Sequence, residues 1–207
     1  MIDKSIIFKI IGSLLFIEAL LLLACLFMAI GYQEDDVPAF IITIILTTLT
    51  GIVLRYLGRN ADNNMSRRDA YLVVTLSWII FSFFGTLPFI ISGYIPSFTD
   101  AYFETMSGFT TTGATIIDDV DKLPHGLLFW RSMTQWIGGL GIVFFTTAVL
   151  PSFVGGSVKV FAAEATGPIS SRLHPRLSTG AKWIWVVYLV LTIGCVLSFM
   201  ACGMGWF

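Results

Sequence analysis

The residues best suited to chemistry in this sequence form the threonine segment, residues 110–115, which reads Thr110-Thr111-Thr112-Gly113-Ala114-Thr115. It has no long side chain. Its backbone carbonyls and threonine hydroxyls are neutral oxygens, which can replace the hydration shell of an alkali cation in a pore. Gly113 permits backbone angles that residues with a side chain avoid. The segment therefore predicts a monovalent-cation site, and a threonine- and glycine-rich extracellular turn is the alternative interpretation.

Other residue types that carry chemistry are scattered along the chain. His125 and His174 are predicted to be isolated in loops, without metal-ligand partners at helical or turn spacing. The cysteines lie in apolar runs and form no Cys-x-x-Cys pair: Cys25, Cys195 and Cys202. Because no nucleophile–base set is recognisable, the sequence predicts neither an enzyme nor a bound cofactor.

The composition excludes most classes of soluble protein. Of the 207 residues, 56% are hydrophobic and 12% are charged, whereas soluble domains are roughly a quarter charged. The mean hydropathy is +0.86. These values exclude a soluble enzyme, a secreted disulfide scaffold, a disordered tail and a nucleic-acid-binding protein. Five apolar stretches reach the length of about 20 residues that spans a bilayer: 6–30, 38–57, 70–93, 127–153 and 181–205. The sequence predicts an all-α integral membrane protein.

One ionisable residue, Glu18, lies near the centre of the first apolar stretch, where a charged side chain is expensive. It either pairs with a group on another helix or is protonated and structural. The sequence leaves both interpretations open.

A short helix is predicted directly before the threonine segment. Apolar residues between 98 and 109 recur at three- and four-residue spacing, Pro96 precedes them, and Ser97, Thr99 or Asp100 is suited to cap the start. About a dozen residues give about 18 Å, roughly half a bilayer. The stretch is therefore predicted to be a re-entrant half-helix, with its carbonyl end directed at the threonine segment.

The basic residues predict the orientation in the membrane. Ten of the twelve fall on one side: Lys4, Lys9, Arg55, Arg59, Arg67, Arg68, Lys159, Arg172, Arg176 and Lys182. That side is predicted to be the cytoplasm, with the N-terminus inside and the C-terminus of this chain outside. The opposite loops are rich in Asp and Glu, which raises the local concentration of cations there.

Two strings of residues resemble a known family. Residues 108–115 read Gly-Phe-Thr-Thr-Thr-Gly-Ala-Thr, and residues 129–141 read Phe-Trp-Arg-Ser-Met-Thr-Gln-Trp-Ile-Gly-Gly-Leu-Gly. Together they resemble the first pore loop and second pore helix of the Trk/Ktr/HKT potassium transporter superfamily, and within it the bacterial Trk-type potassium uptake subunits. The chain lacks the tyrosine-glycine ending of potassium-channel filters, which favours a looser filter.

The resemblance implies a fold, a site and partners. Family members carry four helix–pore loop–helix repeats, and the single filter glycine of each repeat matches Gly113. By resemblance, Thr111, Thr112 and Gly113 supply filter carbonyls to a potassium ion, with Ala114 and Thr115 at the outer end. The resemblance also implies a bacterial inner-membrane homodimer with a cytoplasmic nucleotide-binding regulatory subunit.

The chain is accordingly divided into three parts. Residues 1–60 are expected to form two leading transmembrane helices, 61–155 the first repeat, and 156–207 a cytoplasmic loop and the first helix of a second repeat. In total we expect five transmembrane helices, a re-entrant pore half-helix and an extended filter loop. The predicted function is potassium uptake across the cytoplasmic membrane, by a chain that is the N-terminal fragment of the conducting subunit. The alternative is a non-conducting structural or assembly protein derived from such a pore.

Overall fold

The computed structural model describes residues 4–61, 67–141 and 174–205. Those residues are helical apart from their connections, as the composition predicts. The helices are α1 (Lys4–Tyr32), α2 (Val37–Leu57), α3 (Arg67–Ile91), α4 (Phe98–Phe109), α5, described over residues 125–141, and α6 (His174–Ala201). A 3-10 turn, Val120–Lys122, precedes α5.

Four helical stretches are long and apolar enough to cross a membrane: Lys4–Tyr32, Val37–Leu57, Tyr71–Ile91 and Trp183–Ala201. They correspond to four of the five predicted spans. The remaining predicted span, 127–153, begins in α5, and its part beyond residue 141 lies outside the described residues.

Helices α1 and α2 pack as an antiparallel hairpin because glycines let their backbones approach closely. A Cβ atom added to Gly12 would lie 2.8 Å from the carbonyl oxygen of Gly51, and one added to Gly51 would lie 3.1 Å from that of Gly12. The buried residues of α1 recur at intervals of three and four, including Ile11, Leu15 and Leu22. This spacing places them on one face of the helix.

The half-helix α4 forms where the sequence predicts it, from Phe98 to Phe109. Gly93, with φ +81°, occurs in the turn after α3. Ser97 then caps α4, since its hydroxyl oxygen accepts a hydrogen bond from the Asp100 amide at 3.4 Å. Of the three proposed caps, Ser97 is the one that the structure shows in this role.

A buried apolar cluster joins the leading hairpin to the helices around α4. It includes residues of α1 and α2 (Leu22, Cys25, Ala29 and Phe40), together with Phe89, Ile95, Ala101, Phe109, Leu127 and Trp130. Because these residues come from α1 to α5, the leading hairpin is part of the same core as the half-helix. This core holds α4 in place.

Residues 1–139 and 140–207 form two compact units. In the second unit, α6 exposes most of its described side chains, and many of these are large and apolar, such as Trp183, Leu191 and Phe199. In the first unit, α1 and α2 also carry exposed apolar residues, including Leu20 and Ile45. Apolar helix surfaces of this kind suit contact with lipid.

Candidate functional site

The backbone of the threonine segment folds back onto the end of α4. The Thr111 amide donates to the Gly108 carbonyl at 2.9 Å, and the Thr112 and Gly113 amides donate to the Ser107 carbonyl at 2.9 and 3.4 Å. This arrangement requires left-handed backbone angles at Thr111 (φ +56°) and Gly113 (φ +74°). The glycine thus occupies a conformation that favours it.

These three hydrogen bonds from backbone amides fix the direction of the carbonyls. In a trans peptide, the N–H of one residue and the C=O of the residue before it point in opposite directions. The described residues contain no cis peptide, so the carbonyls of Thr110, Thr111 and Thr112 point away from the end of α4. No described residue donates a hydrogen bond to them. Backbone carbonyl oxygens directed away from the protein are the groups with which selectivity filters replace the hydration shell of an ion.

The hydroxyl groups of the segment are held locally. The Thr110 hydroxyl donates to the Met106 carbonyl at 2.8 Å and lies 2.8 Å from the Thr112 hydroxyl. The Ser107 hydroxyl donates to the Ala114 carbonyl at 2.6 Å. Among the ligands implied by the resemblance, the Ala114 carbonyl is therefore already engaged by α4. Thr110, which the resemblance did not include, contributes a carbonyl that points away from α4.

A buried carboxylate holds the outer end of the segment. Glu104 of α4 is 3% exposed. Its Oε2 accepts from the Thr115 hydroxyl at 2.9 Å and from the Ile116 amide at 3.1 Å, and its Oε1 accepts from Arg131 Nε of α5 at 2.6 Å. We call these four residues the outer junction.

The sequence analysis missed the outer junction because it counted Glu104 only as one of the acidic loop residues. A signal was present in the pattern. Ala101, Glu104, Thr105 and Gly108 share the face of α4 that is buried, and a carboxylate on a buried face requires a partner. Arg131 is the basic residue of the following apolar stretch.

Small residues let α5 lie directly against α4. A Cβ atom on Gly138 would overlap the carbonyl oxygen of Phe109, and one on Gly108 would overlap the Thr134 hydroxyl. The Trp130 indole also donates to the Gly85 carbonyl of α3 at 2.9 Å. Close packing by Gly138 supports the α4 terminus from which the threonine segment starts.

The start of α5 is held by the connection between α1 and α2. The His125 amide donates to Glu34 Oε2 at 2.6 Å, and the Leu127 amide donates to Asp36 Oδ2 at 3.1 Å. Carboxylates stabilise a helix N-terminus, where amides lack partners. Burial raises the pKa of Asp36, and the negative charge of Glu34 raises it further. We call these four residues the hairpin junction.

His125 is not isolated in a loop, so that prediction was wrong. It is the first residue of α5, its Nδ1 lies 2.6 Å from Glu34 Oε1, and its ring stacks on Tyr32 with centroids 3.8 Å apart. His174 is the first residue of α6. The described residues contain no group of three or more His, Cys, Asp or Glu that is arranged to hold a metal ion.

Glu18 is fully buried in α1, and within the described part of the chain neither of its carboxyl oxygens has a hydrogen-bond partner. This environment favours the protonated, structural interpretation over an ion pair within the same unit. The described residues include three free cysteines: Cys25 is buried, and Cys195 and Cys202 are exposed.

Comparison with known proteins agrees with the resemblance found in the sequence. The sequence model of the TrkH family, a cation transport protein, matches residues 36–204. The chain is 37% identical over 203 residues to the Trk system potassium uptake protein TrkH of Halomonas elongata, covering 97% of this chain and 42% of that protein. It is 31% identical over 194 residues to an uncharacterized cation transporter of Methanocaldococcus jannaschii, covering 92% of this chain and 40% of that protein.

The fold agrees as well. The crystal structure of the potassium transporter TrkH from Vibrio parahaemolyticus matches with a TM-score of 0.81 at 34% identity, covering 99% of this chain and 41% of that one. The chain thus spans about two fifths of the length of the relatives that it matches. Because the family model covers most of the sequence, the chain belongs to the TrkH family of cation transport proteins.

Proposed function

We propose that this chain contributes the first filter of a potassium-conducting subunit that takes up potassium across the bacterial inner membrane. The observation that carries the proposal is the set of hydrogen bonds that the backbone amides of Thr111, Thr112 and Gly113 donate to the last turn of α4. They direct successive carbonyls to one side, where a dehydrated cation is coordinated by oxygens. The names of the relatives, which describe potassium uptake, support potassium as the ion.

Each part of the site has a role in this mechanism. The carbonyls of Thr110, Thr111 and Thr112 replace water around the ion, and the carbonyl end of α4 adds partial negative charge nearby. Gly113 allows the backbone to turn, and Thr115 lies at the outer end. The Arg131 guanidinium does not repel the ion strongly because the Glu104 carboxylate neutralises it. The site uses transported potassium as its substrate and needs no cofactor or enzymatic chemistry.

We propose the membrane arrangement that the basic residues predict. Five spans cross the bilayer, α4 enters from the outside as a re-entrant half-helix, and the N-terminus is cytoplasmic. Residues 1–60, 61–155 and 156–207 then correspond to the leading hairpin, the first repeat and the start of a second repeat. The exposed apolar faces of α1 and α2 support their contact with lipid.

The assembly proposed is a homodimer with a cytoplasmic nucleotide-binding regulatory subunit. Membership of the family supports it, by way of the resemblance described above. Cross-linking of membranes followed by mass determination tests the dimer, and co-purification tests the regulatory subunit.

A growth experiment tests the function. The complete gene that encodes this chain is expressed in a bacterium that lacks its own potassium uptake. We expect growth at low potassium and uptake of rubidium, which reports on potassium transport. Correct insertion without rubidium uptake would contradict the proposal and favour the non-conducting structural protein.

A further inference from the structure

Glu104 is the point at which three parts of the chain meet. It belongs to α4, and its carboxylate binds the threonine segment through Thr115 and Ile116 and binds α5 through Arg131. The Glu104 side chain is 2% exposed and that of Arg131 is 17% exposed. All three contacts are within hydrogen-bond distance.

A junction of this kind is rigid because its components depend on one another. A buried carboxylate is tolerated only when it is paired and its remaining lone pairs are bonded. Here a guanidinium, a hydroxyl and a backbone amide together satisfy Glu104. Loss of one donor leaves buried charge incompletely paired, which is strongly unfavourable.

The outer junction is one of several attachments of the threonine segment to α4, and the Ser107 hydroxyl, which donates to the Ala114 carbonyl, is another. At the inner end, the Ser107 carbonyl accepts from the Thr112 and Gly113 amides. At the outer end, Glu104 holds Thr115 and Ile116, one helical turn away from Ser107. The carbonyls that face the ion lie before the outer attachment. The outer junction therefore closes the segment beyond these carbonyls and adds to the restraint on their spacing.

We propose that Glu104 and Arg131 are positioning residues that set the choice between potassium and sodium, an inference that rests on the proposed function. Neither residue touches the ion. They act by holding Thr115 and Ile116, which limits how far the preceding carbonyls can contract around a smaller ion. Whether selectivity follows from cavity size or from the field of the carbonyls, both depend on this restraint.

The decisive variant is Thr115→Val, which leaves the Glu104–Arg131 ion pair intact. It removes the hydrogen bond from the Thr115 hydroxyl to Glu104 and the one that this hydroxyl accepts from the Ile117 amide at 3.1 Å. We expect the ratio of rubidium to sodium uptake to fall by up to about tenfold, the factor that corresponds to the whole free energy of one hydrogen bond to a charged group. Thr115→Ser restores the hydroxyl and should recover most of the ratio. Glu104→Gln should lower the ratio at least as far as Thr115→Val does.

Glu34→Gln is the matched control. It removes a carboxylate from the hairpin junction, which contacts α5 but not the threonine segment, and it should leave the ratio unchanged. All variants are compared at equal amounts of protein in the membrane. Should Glu104→Gln fail to insert, the comparison of Thr115→Val with Thr115→Ser still decides the question.

The two possible failures are distinguishable. If the unmodified protein takes up no rubidium, the proposed function is wrong, and the inference is wrong with it. If the unmodified protein takes up rubidium and Thr115→Val keeps the normal ratio, the outer junction has no role in selectivity while the proposed function stands.

Discussion

At the residue scale, the threonine segment contains two residues with positive φ, Thr111 and Gly113. Gly113 adopts this conformation without strain, whereas a β-branched threonine does so at a cost of about 1–2 kcal/mol. The hydrogen bonds from the neighbouring amides to Ser107 and Gly108 offset that cost. Backbone strain of this kind is typical of functional sites.

Gly113→Ser should therefore alter selectivity through the backbone. A Cβ atom at this position meets nothing within 4 Å in the described residues, so the effect arises from the φ of +74° and not from bulk. The cost of about 1–2 kcal/mol for a left-handed side chain is sufficient to displace the carbonyls. We expect the rubidium-to-sodium uptake ratio to fall while the protein still inserts.

The matched variant is Thr115→Ser, which keeps the backbone conformation and the hydroxyl and should have a smaller effect. Rubidium and sodium uptake are measured at equal membrane expression. Unchanged selectivity in Gly113→Ser would mean that residues 111–115 form an ordinary extracellular turn.

Asp36→Asn should stabilise the protein at neutral pH. Because burial and Glu34 raise the pKa of Asp36, the folded state binds a proton more readily than the unfolded state. This favours folding at low pH, and the advantage is lost as pH rises from the unfolded value of 3.8 through the raised folded value. The asparagine oxygen can still accept from the Leu127 amide.

The measurement is the melting temperature of the detergent-solubilised protein between pH 4 and pH 8. The melting temperature of the variant should exceed that of the parent at the upper end of this range. The difference in melting temperature between the variant and the parent should vanish toward pH 4. Asp35→Asn, at an exposed position, should show no such trend; a constant offset for Asp36→Asn at every pH would contradict the assignment.

At the element scale, the contact between α4 and α5 depends on the absence of a side chain at Gly138. Gly138→Ala places a methyl group against the Phe109 carbonyl, so α5 must move away from the end of α4. We expect the free energy of unfolding to fall by about 1–3 kcal/mol, as it does at other overpacked sites. Thermal unfolding of the purified protein measures it.

Gly31→Ala is the control for this change. A Cβ atom at Gly31 meets nothing within 4 Å in the described residues, and alanine favours a helix over glycine by about 1 kcal/mol. This variant should be neutral or slightly stabilised. If both alanine variants behave alike, the close contact of Gly138 does not limit stability.

Elements encoded by local patterns were predictable from the sequence, and pairs that join distant residues were not. The bounds of α4 follow from side-chain spacing over its 12 residues, whereas the sequence left three candidate caps, of which the structure uses Ser97. The Glu104–Arg131 pair joins residues 27 apart, and the Glu34–His125 pair joins residues 91 apart. Periodicity carries no information about such partners. For this reason His125 was misassigned and the Glu104–Arg131 pair was not predicted.

At the scale of the whole molecule, the distribution of basic residues predicts that the 55–68 and 159–182 loops face the cytoplasm. Single cysteines at Asn63 and Ser171, in a background without the three native cysteines, should not react with an impermeant maleimide added to intact cells. A cysteine at Asp119, beside the 3-10 turn, should react. Labelling at both Asn63 and Ser171 would overturn the orientation.

The hairpin junction also has a consequence for the order in which the helices associate during synthesis. Glu34 and Asp36 are made about 90 residues before the amides that they bind, so the α1–α2 hairpin is available for docking when α5 leaves the ribosome. A protein whose leading hairpin is deleted would present the first amides of α5 without their carboxylate partners. We therefore expect loss of α1 and α2 to weaken the attachment of the first turn of α5.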